Sequence, residues 1–233
     1  MGERADSAER TTVVAIDGPA ASGKSTVSRE VARALGWVYV DSGALYRGIT
    51  WKALRAGVDV RDAGAVQKLL DRARWAFPVR DRTVVFTVDG EEPGDAIRGP
   101  AVRESVSDIA ALPCVRAFVS ARLREMRRYG PLVMEGRDIG TVVFPDADFK
   151  FYLDADPVER ARRRARDLAA MEGAADLAQV RASLARRDTK DSTRRDAPLR
   201  VAADARIIDS TALTVDEVTA RIVAAVRAGK GTA

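Results

Sequence analysis

The chain alternates short runs that are apolar at every position with longer stretches in which apolar residues recur every three or four positions. The first kind suits a strand buried on both faces and the second an amphipathic helix, so their alternation predicts a parallel sheet covered by helices. TVVAI (12–16) is such a run, and Val27, Val31, Ala34 and Leu35 then mark a helix over 25–35 that Gly36 stops. WVYVD (37–41) predicts a second strand, and 42–56 a second helix ended by Gly57. Leu132-Val133-Met134, FKFYLDAD (149–156) and ARIIDS (205–210) supply three more strands. The last two are separated by an arginine-rich helix, a second helix and a charged loop, and a closing helix starts near Val215. The expected fold is α/β, with a five-stranded parallel sheet flanked by helices.

Between about 60 and 112 the pattern changes. RWAFPVRDRTVVFTVDGEEP holds two β-branched and aromatic runs around the polar turn Arg80-Asp81-Arg82, which reads as an antiparallel hairpin inserted into the core. Helical spacing resumes at about 101–110 and 114–129. No 20- to 50-residue repeat and no low-complexity tract interrupts the chain. Its 233 residues suit one core, expected over 11–230 behind a disordered tail at 1–10.

Composition narrows the chemistry. Cys114 is the single cysteine and there is no histidine, so no internal disulfide and no Cys/His metal cluster can form, and a reducing, cytoplasmic home is expected. MGERADSAER lacks the apolar core of a signal peptide, and no stretch approaches the roughly 18 apolar residues of a membrane span. The sequence pI of about 9.6 invites a nucleic-acid reading. That reading fails on detail: 39 basic residues, only six of them lysine, face 34 acidic ones for a net of +5, and aromatics make up 6% of the chain, too few for a base-stacking platform. Cys114, without a partner base, reads as a packed helical residue, and Trp37, Trp51 and Trp75 as core anchors.

The strongest motif follows the first strand. Gly18-Pro19-Ala20-Ala21-Ser22-Gly23-Lys24-Ser25-Thr26 satisfies G-x-x-x-x-G-K-[ST] between a predicted strand and a predicted helix, where that loop must lie to work. Its backbone N–H groups would cradle phosphate oxygens, aided by the positive end of the helix dipole. Lys24 would reach the outer phosphates, and the Ser25 hydroxyl would hold Mg²⁺. A nucleoside triphosphate with Mg²⁺ is the expected ligand.

Such a loop serves switches, motors and kinases alike. Thr189-Lys190-Asp191-Ser192 lacks the asparagine and the aspartate spacing of an N-K-x-D guanine reader, and no lever domain of a motor is evident. Acidic and arginine residues gather instead at predicted strand ends: Asp41-Ser42-Gly43-Ala44-Leu45-Tyr46-Arg47, Glu135-Gly136-Arg137-Asp138, and a loop from Arg187 to Arg194. Ligands of open α/β sheets bind beyond the carboxyl ends of strands, so these motifs are expected to converge on one crevice. Asp17 and Glu135 would orient Lys24 or a metal-bound water there.

DSGALYR, GPLVMEGRDIGTVVFPDADFKFYLDA and RRDTKDSTR, with the spacing between them, resemble the bacterial cytidylate kinases, which are nucleoside monophosphate kinases; the similarity runs from about 12 to 227. The resemblance implies transfer of the γ-phosphoryl group of ATP to CMP or dCMP by a monomer. It implies that Ser42, Arg116 and Asp138 meet the cytosine ring, that Arg47, Arg137 and Arg187 lie near the acceptor phosphate, and that Asp191 and Arg194 receive the sugar hydroxyls. It also implies a monophosphate-binding insert over about 60–112 and a lid over about 157–195 that carries Arg160, Arg163 and Arg164. Arg163, by its distance from Asp154, is the expected cover of the adenine ring and, with Lys24 and Arg187, a neutraliser of charge on the transferred group. The family often has aspartate where Glu135 stands.

Overall fold

β1 (Val13–Asp17) is buried along its whole length. The computed structural model describes residues 11–173 and 175–229; the tail expected over 1–10 lies outside them. After the glycine loop come α1 (Lys24–Leu35), β2 (Val38–Asp41), α2 (Ser42–Arg55) and α3 (Ala63–Arg72). Four two-residue strands follow, β3 (Trp75–Ala76), β4 (Val79–Arg80), β5 (Thr83–Val84) and β6 (Thr87–Val88), then α4 (Pro100–Ile109) and α5 (Pro113–Glu125). β7 (Leu132–Gly136), β8 (Phe149–Asp154), α6 (Pro157–Glu172), α7 (Leu177–Thr193), β9 (Arg206–Asp209) and α8 (Val215–Arg227) complete the chain.

The main sheet has the order β4-β5-β2-β7-β1-β8-β9. β2, β7, β1, β8 and β9 are mutually parallel, as the five apolar runs predict. Successive side chains on these strands go to opposite faces, which divides the core in two. Val13, Ala15, Val40, Leu132 and Met134 pack with Leu45, Ile49, Val66, Val119 and Leu123 of α2, α3 and α5. Val14, Ile16, Tyr39 and Val133 pack on the other side with Val27, Val31, Val218 and Ile222 of α1 and α8. Trp51 is buried, whereas Trp37 and Trp75 are half-buried at the margins of these clusters.

Three elements depart from expectation. The hairpin is less separate than its sequence suggests: β4 and β5 form it, but β5 also pairs parallel with β2 through Tyr39 and Thr83, so it extends the main sheet. β3 and β6 form a second, two-stranded sheet beside it. α3, whose Val66, Leu69 and Leu70 are buried, occupies a stretch with no predicted element.

The third departure bears on the site. The segment Arg187–Thr193, expected as loop, is the last part of α7. Val180, Leu184, Arg187, Asp191 and Arg194 recur at spacings of four and three, the helical stripe that ordinarily would be apolar. Only its first two members are hydrophobic, because from Leu184 onward the stripe faces a cleft rather than the core.

Candidate active site

The carboxyl ends of β1, β2 and β7 open into a cleft of about 920 Å³ lined by the phosphate loop from Ala20 on, by the starts of α1 and α2, and by α4, α6 and α7. Ser42, Arg47, Arg116, Arg137, Asp138, Arg163, Arg187, Asp191 and Arg194 all line it, as do Ala20, Ala21, Ser22, Gly23, Lys24, Ser25 and Thr26. The sequence-predicted residues are thus brought together on one crevice, except Asp17, Gly18, Pro19 and Arg160.

Gly18 and Pro19 do not line the cleft. A Cβ on Gly18 would run into the carbonyl oxygen of Leu153, so glycine there lets the loop leave β1 alongside β8. The Pro19 carbonyl accepts from Lys24 Nζ at 2.8 Å and pins that side chain across the loop. Gly23 adopts φ 88°, a left-handed conformation, at the N-cap of α1, where it turns the chain into the helix.

Lys24 is buried, and burial, followed by the charges of Arg137 and Arg187 against that of Glu135, pushes its ammonium down to about 7. The carboxylate of Glu135 accepts from Ser25 Oγ at 2.8 Å through one oxygen and from the Tyr39 hydroxyl at 2.5 Å through the other. Burial, then the Asp41 charge, moves Glu135 upward from the ordinary carboxylate range. Asp17, expected to orient Lys24 or a metal-bound water, makes no hydrogen bond to Lys24: its oxygens accept from the backbone N–H groups of Ile139 and Gly140.

The opposite wall is built of guanidinium groups. Arg137 Nε donates to Asp191 at 2.9 Å, and Arg194 lies 3.5 Å from the same residue. Burial opposes ionisation of Asp191, but Arg137, Arg187 and Arg194 together hold its carboxyl below the usual range. Arg116 and Asp138 form an ion pair that is almost wholly buried, with Arg194 3.7 Å from the second Asp138 oxygen. Arg47 pairs at 2.7 Å with Asp41, which also caps α2 by accepting from Ala44 N–H. Arg187 is driven down to about 10 by burial and then by Arg137. Its Nε, with Arg47 Nε and one Arg194 nitrogen, is buried without a hydrogen-bond partner. Buried donors left unpaired in a positively charged wall fit an anion.

The arginine run of α6 divides by side. Arg162 is 62% exposed on the solvated face, whereas Arg166, 72% exposed, lies at the rim of the cleft. Arg163 donates to Ser210 and Thr211 at the phosphate-loop end of the cleft, where Gly23 is its neighbour. Arg164 also lines the cleft. Arg160 does not: it is buried under the loop, donating to the carbonyls of Ala155 and Ala20 and pairing with Asp188, whose other oxygen faces Ala20 N–H. Sequence reading also missed Arg98, Arg103 and Ser107, which line the cleft from the region around α4. Positions 103, 107 and 110 at helical spacing were the available signal, but they belong to no motif.

A glycine loop at the root of a helix, facing an arginine wall across one cleft at the carboxyl edge of a parallel sheet, defines a phosphotransferase of the phosphate-loop kinase class. Residues 14–228 match the family model for cytidylate kinase. A cytidylate kinase of Geobacillus thermodenitrificans (strain NG80-2) is 48% identical over 216 residues, 92% of this chain and 96% of that protein. One of Solibacter usitatus (strain Ellin6076) is 44% identical over 225 residues, 96% and 95% of the two chains. The solved structure of an uncharacterized protein from Eubacterium ventriosum ATCC 27560 aligns with a TM-score of 0.50 over 94% of this chain and 99% of that one, at 12% identity, a likeness of fold alone. The chain belongs to the cytidylate kinase family.

Proposed function

We propose that the cleft holds ATP at the loop end and CMP or dCMP at the arginine wall, and that the γ-phosphoryl group passes between them to give ADP and CDP or dCDP. The observation that supports this is the juxtaposition of Lys24 with Arg137 and Arg187, close enough for their charges to bear on one another in a buried pocket. Three like charges are gathered at that cost only where a multiply charged anion is to be neutralised.

An oxygen of the acceptor monophosphate attacks the γ-phosphorus while the bond to the β,γ-bridging oxygen breaks, and ADP departs with the electron pair. The acceptor oxygen is already ionised near neutral pH, so no general base is needed, in keeping with a chain that has no histidine. The transition state is loose, and alignment and charge neutralisation do most of the work. Lys24 and Arg163 serve the donor phosphates. Arg47, Arg137 and Arg187 hold the attacking group in line.

Among the described residues no cluster of three His, Cys, Asp or Glu side chains could hold a metal alone. The adjoining Ser25 hydroxyl and Glu135 carboxylate offer hard oxygen donors to Mg²⁺, which takes much of its shell from phosphate and water. When bound it would neutralise charge on the β- and γ-phosphates.

At the far end, Asp138 can accept from the exocyclic amine of cytosine while Arg116 and Ser42 donate to its ring nitrogen and carbonyl. Uracil presents an acceptor where cytosine has that amine, so the carboxylate rejects it. Asp191 and Arg194 take the sugar hydroxyls. The segments 60–112 and 157–195 close over the bound pair as insert and lid and exclude water. No helix among the described residues is long and apolar enough to cross a membrane, and we take the protein for a cytoplasmic monomer that binds no nucleic acid.

ADP formation measured in parallel with CMP, dCMP, UMP, AMP, shikimate and no acceptor tests the reading. Cytidine nucleotides should drive turnover far above the acceptor-free rate. Equal ATP loss with and without CMP would overturn it.

A further inference from the structure

Asp17 ends β1 one residue before the phosphate loop, yet its carboxylate serves the other side of the cleft. Oδ1 accepts from Ile139 N–H at 2.9 Å and Oδ2 from Gly140 N–H at 2.8 Å, with the residue only 5% exposed. In the β1–β7 ladder Asp17 stands opposite Gly136, the last residue of β7. Beyond Gly136 the chain leaves the sheet through Arg137 and Asp138 into a π-helical turn, Ile139–Val143. The side chain therefore continues the ladder after the backbone has left it. It anchors the two residues that directly follow the arginine and aspartate of the acceptor wall.

A buried carboxylate beside a phosphate pocket carries an electrostatic penalty, and a neutral isostere would avoid it. What only the carboxylate supplies is two acceptors aimed at two consecutive N–H groups, since an amide must set an NH₂ against one of them. We propose that Asp17 is a positioning residue for the acceptor: it fixes the backbone from which Arg137 and Asp138 project and joins it rigidly to the root of the phosphate loop. The inference rests on the reading of Arg137 and Asp138 as acceptor residues.

Steady-state kinetics and acceptor-free binding of an ATP analogue test it in Asp17→Asn, with Asp138→Ala assayed beside it. Misaiming two anchoring groups should raise KM for CMP by roughly ten- to a hundredfold. Affinity for the ATP analogue should stay within about twofold, because the loop's own contacts remain. Gly140→Ala probes the same contact from the other partner: its Cβ would press on the Lys150 stem at 3.2 Å and approach Asp17 Oδ2 at 3.5 Å. It should shift KM for CMP in the same direction with Asp17 intact, and either variant suffices if the other does not fold. If Asp138→Ala raises KM for CMP while Asp17→Asn and Gly140→Ala do not, or if they weaken ATP binding as much as CMP, the role of Asp17 is refuted and the acceptor reading survives. If Asp138→Ala leaves KM for CMP unchanged, the acceptor reading falls and takes this inference with it.

Discussion

The Ser25 hydroxyl donates to Glu135 Oε2 at 2.8 Å, linking the first turn of α1 to the end of β7. The second oxygen of that carboxylate depends on Tyr39, whose hydroxyl bond helps keep Glu135 ionised against burial. Tyr39→Phe should cost roughly 1–3 kcal/mol of stability, the penalty for a buried acceptor left unsatisfied. It should also raise the Mg²⁺ concentration for half-maximal rate, because a Glu135 carboxylate deprived of its Tyr39 donor holds a proton more readily, while KM for CMP stays put. A Mg²⁺ titration checks this, and an unchanged midpoint would remove Glu135 from the metal side.

Asp138 has a structural and a chemical consequence that separate experimentally. With Arg116 5% and Asp138 4% exposed, Asp138→Ala strands a buried guanidinium. Breaking such a pair costs about 3–5 kcal/mol, which for a chain of this size lowers Tm by roughly 6–20 °C. Among molecules still folded, the preference in kcat/KM for CMP over UMP should fall at least about tenfold, the worth of one directed polar contact. Calorimetry reads the first effect and paired kinetics the second; retention of full preference would place the base elsewhere.

Gly48 lies in α2 under the Phe86 ring, with no room for a Cβ between them. Alanine would gain up to about 1 kcal/mol of helix propensity but overpack the contact at about 1–3 kcal/mol. Gly48→Ala should therefore be net destabilising, seen as a lower urea midpoint. A more stable variant would mean the β5–β6 segment yields freely.

Burial, against the two backbone donors from Gly140 and Ile139, pushes Asp17 up to about 6 from an ordinary 3.8, with Asp138 raising it further and Lys24 opposing. A carboxyl raised on folding favours the native state fully below about pH 4, and that contribution is lost as pH climbs through 6. Between pH 4 and 7 the wild type should lose on the order of 2–3 kcal/mol relative to Asp17→Asn. Denaturant melts at both pH values measure the slope; parallel curves would contradict the raised pKa.

Much of this was legible in the residues. The apolar runs gave the five parallel strands: β1 and β7 are buried along their whole length and β2 nearly so, while β9, at the sheet edge, is exposed except at Ile208 and showed itself only through its apolar pair. GPAASGKST gave the loop because its glycines answer to backbone geometry. Arg187, Asp191 and Arg194 were assigned to the site but to the wrong local structure, since a helix stripe that faces a cleft carries charge and loses the apolar period. Arg98, Arg103 and Ser107 escaped because they sit on an insert whose outer face follows no motif. Asp17 was placed by its nearness in sequence to the phosphate loop, whereas its carboxylate bonds the backbone of Ile139 and Gly140 beyond the end of β7, a contact that no local pattern announces.

The helical state of 187–193 has a consequence of its own. Arg187 and Asp191 are one helical turn apart on a continuous rod, about 6 Å along its axis. On the proposed placement, the group at the acceptor phosphate and the group at its sugar cannot drift relative to each other, as they could on a loop. α7 would then work as a gauge, comparing the phosphate-to-sugar span of an incoming molecule with a length set by the peptide backbone itself.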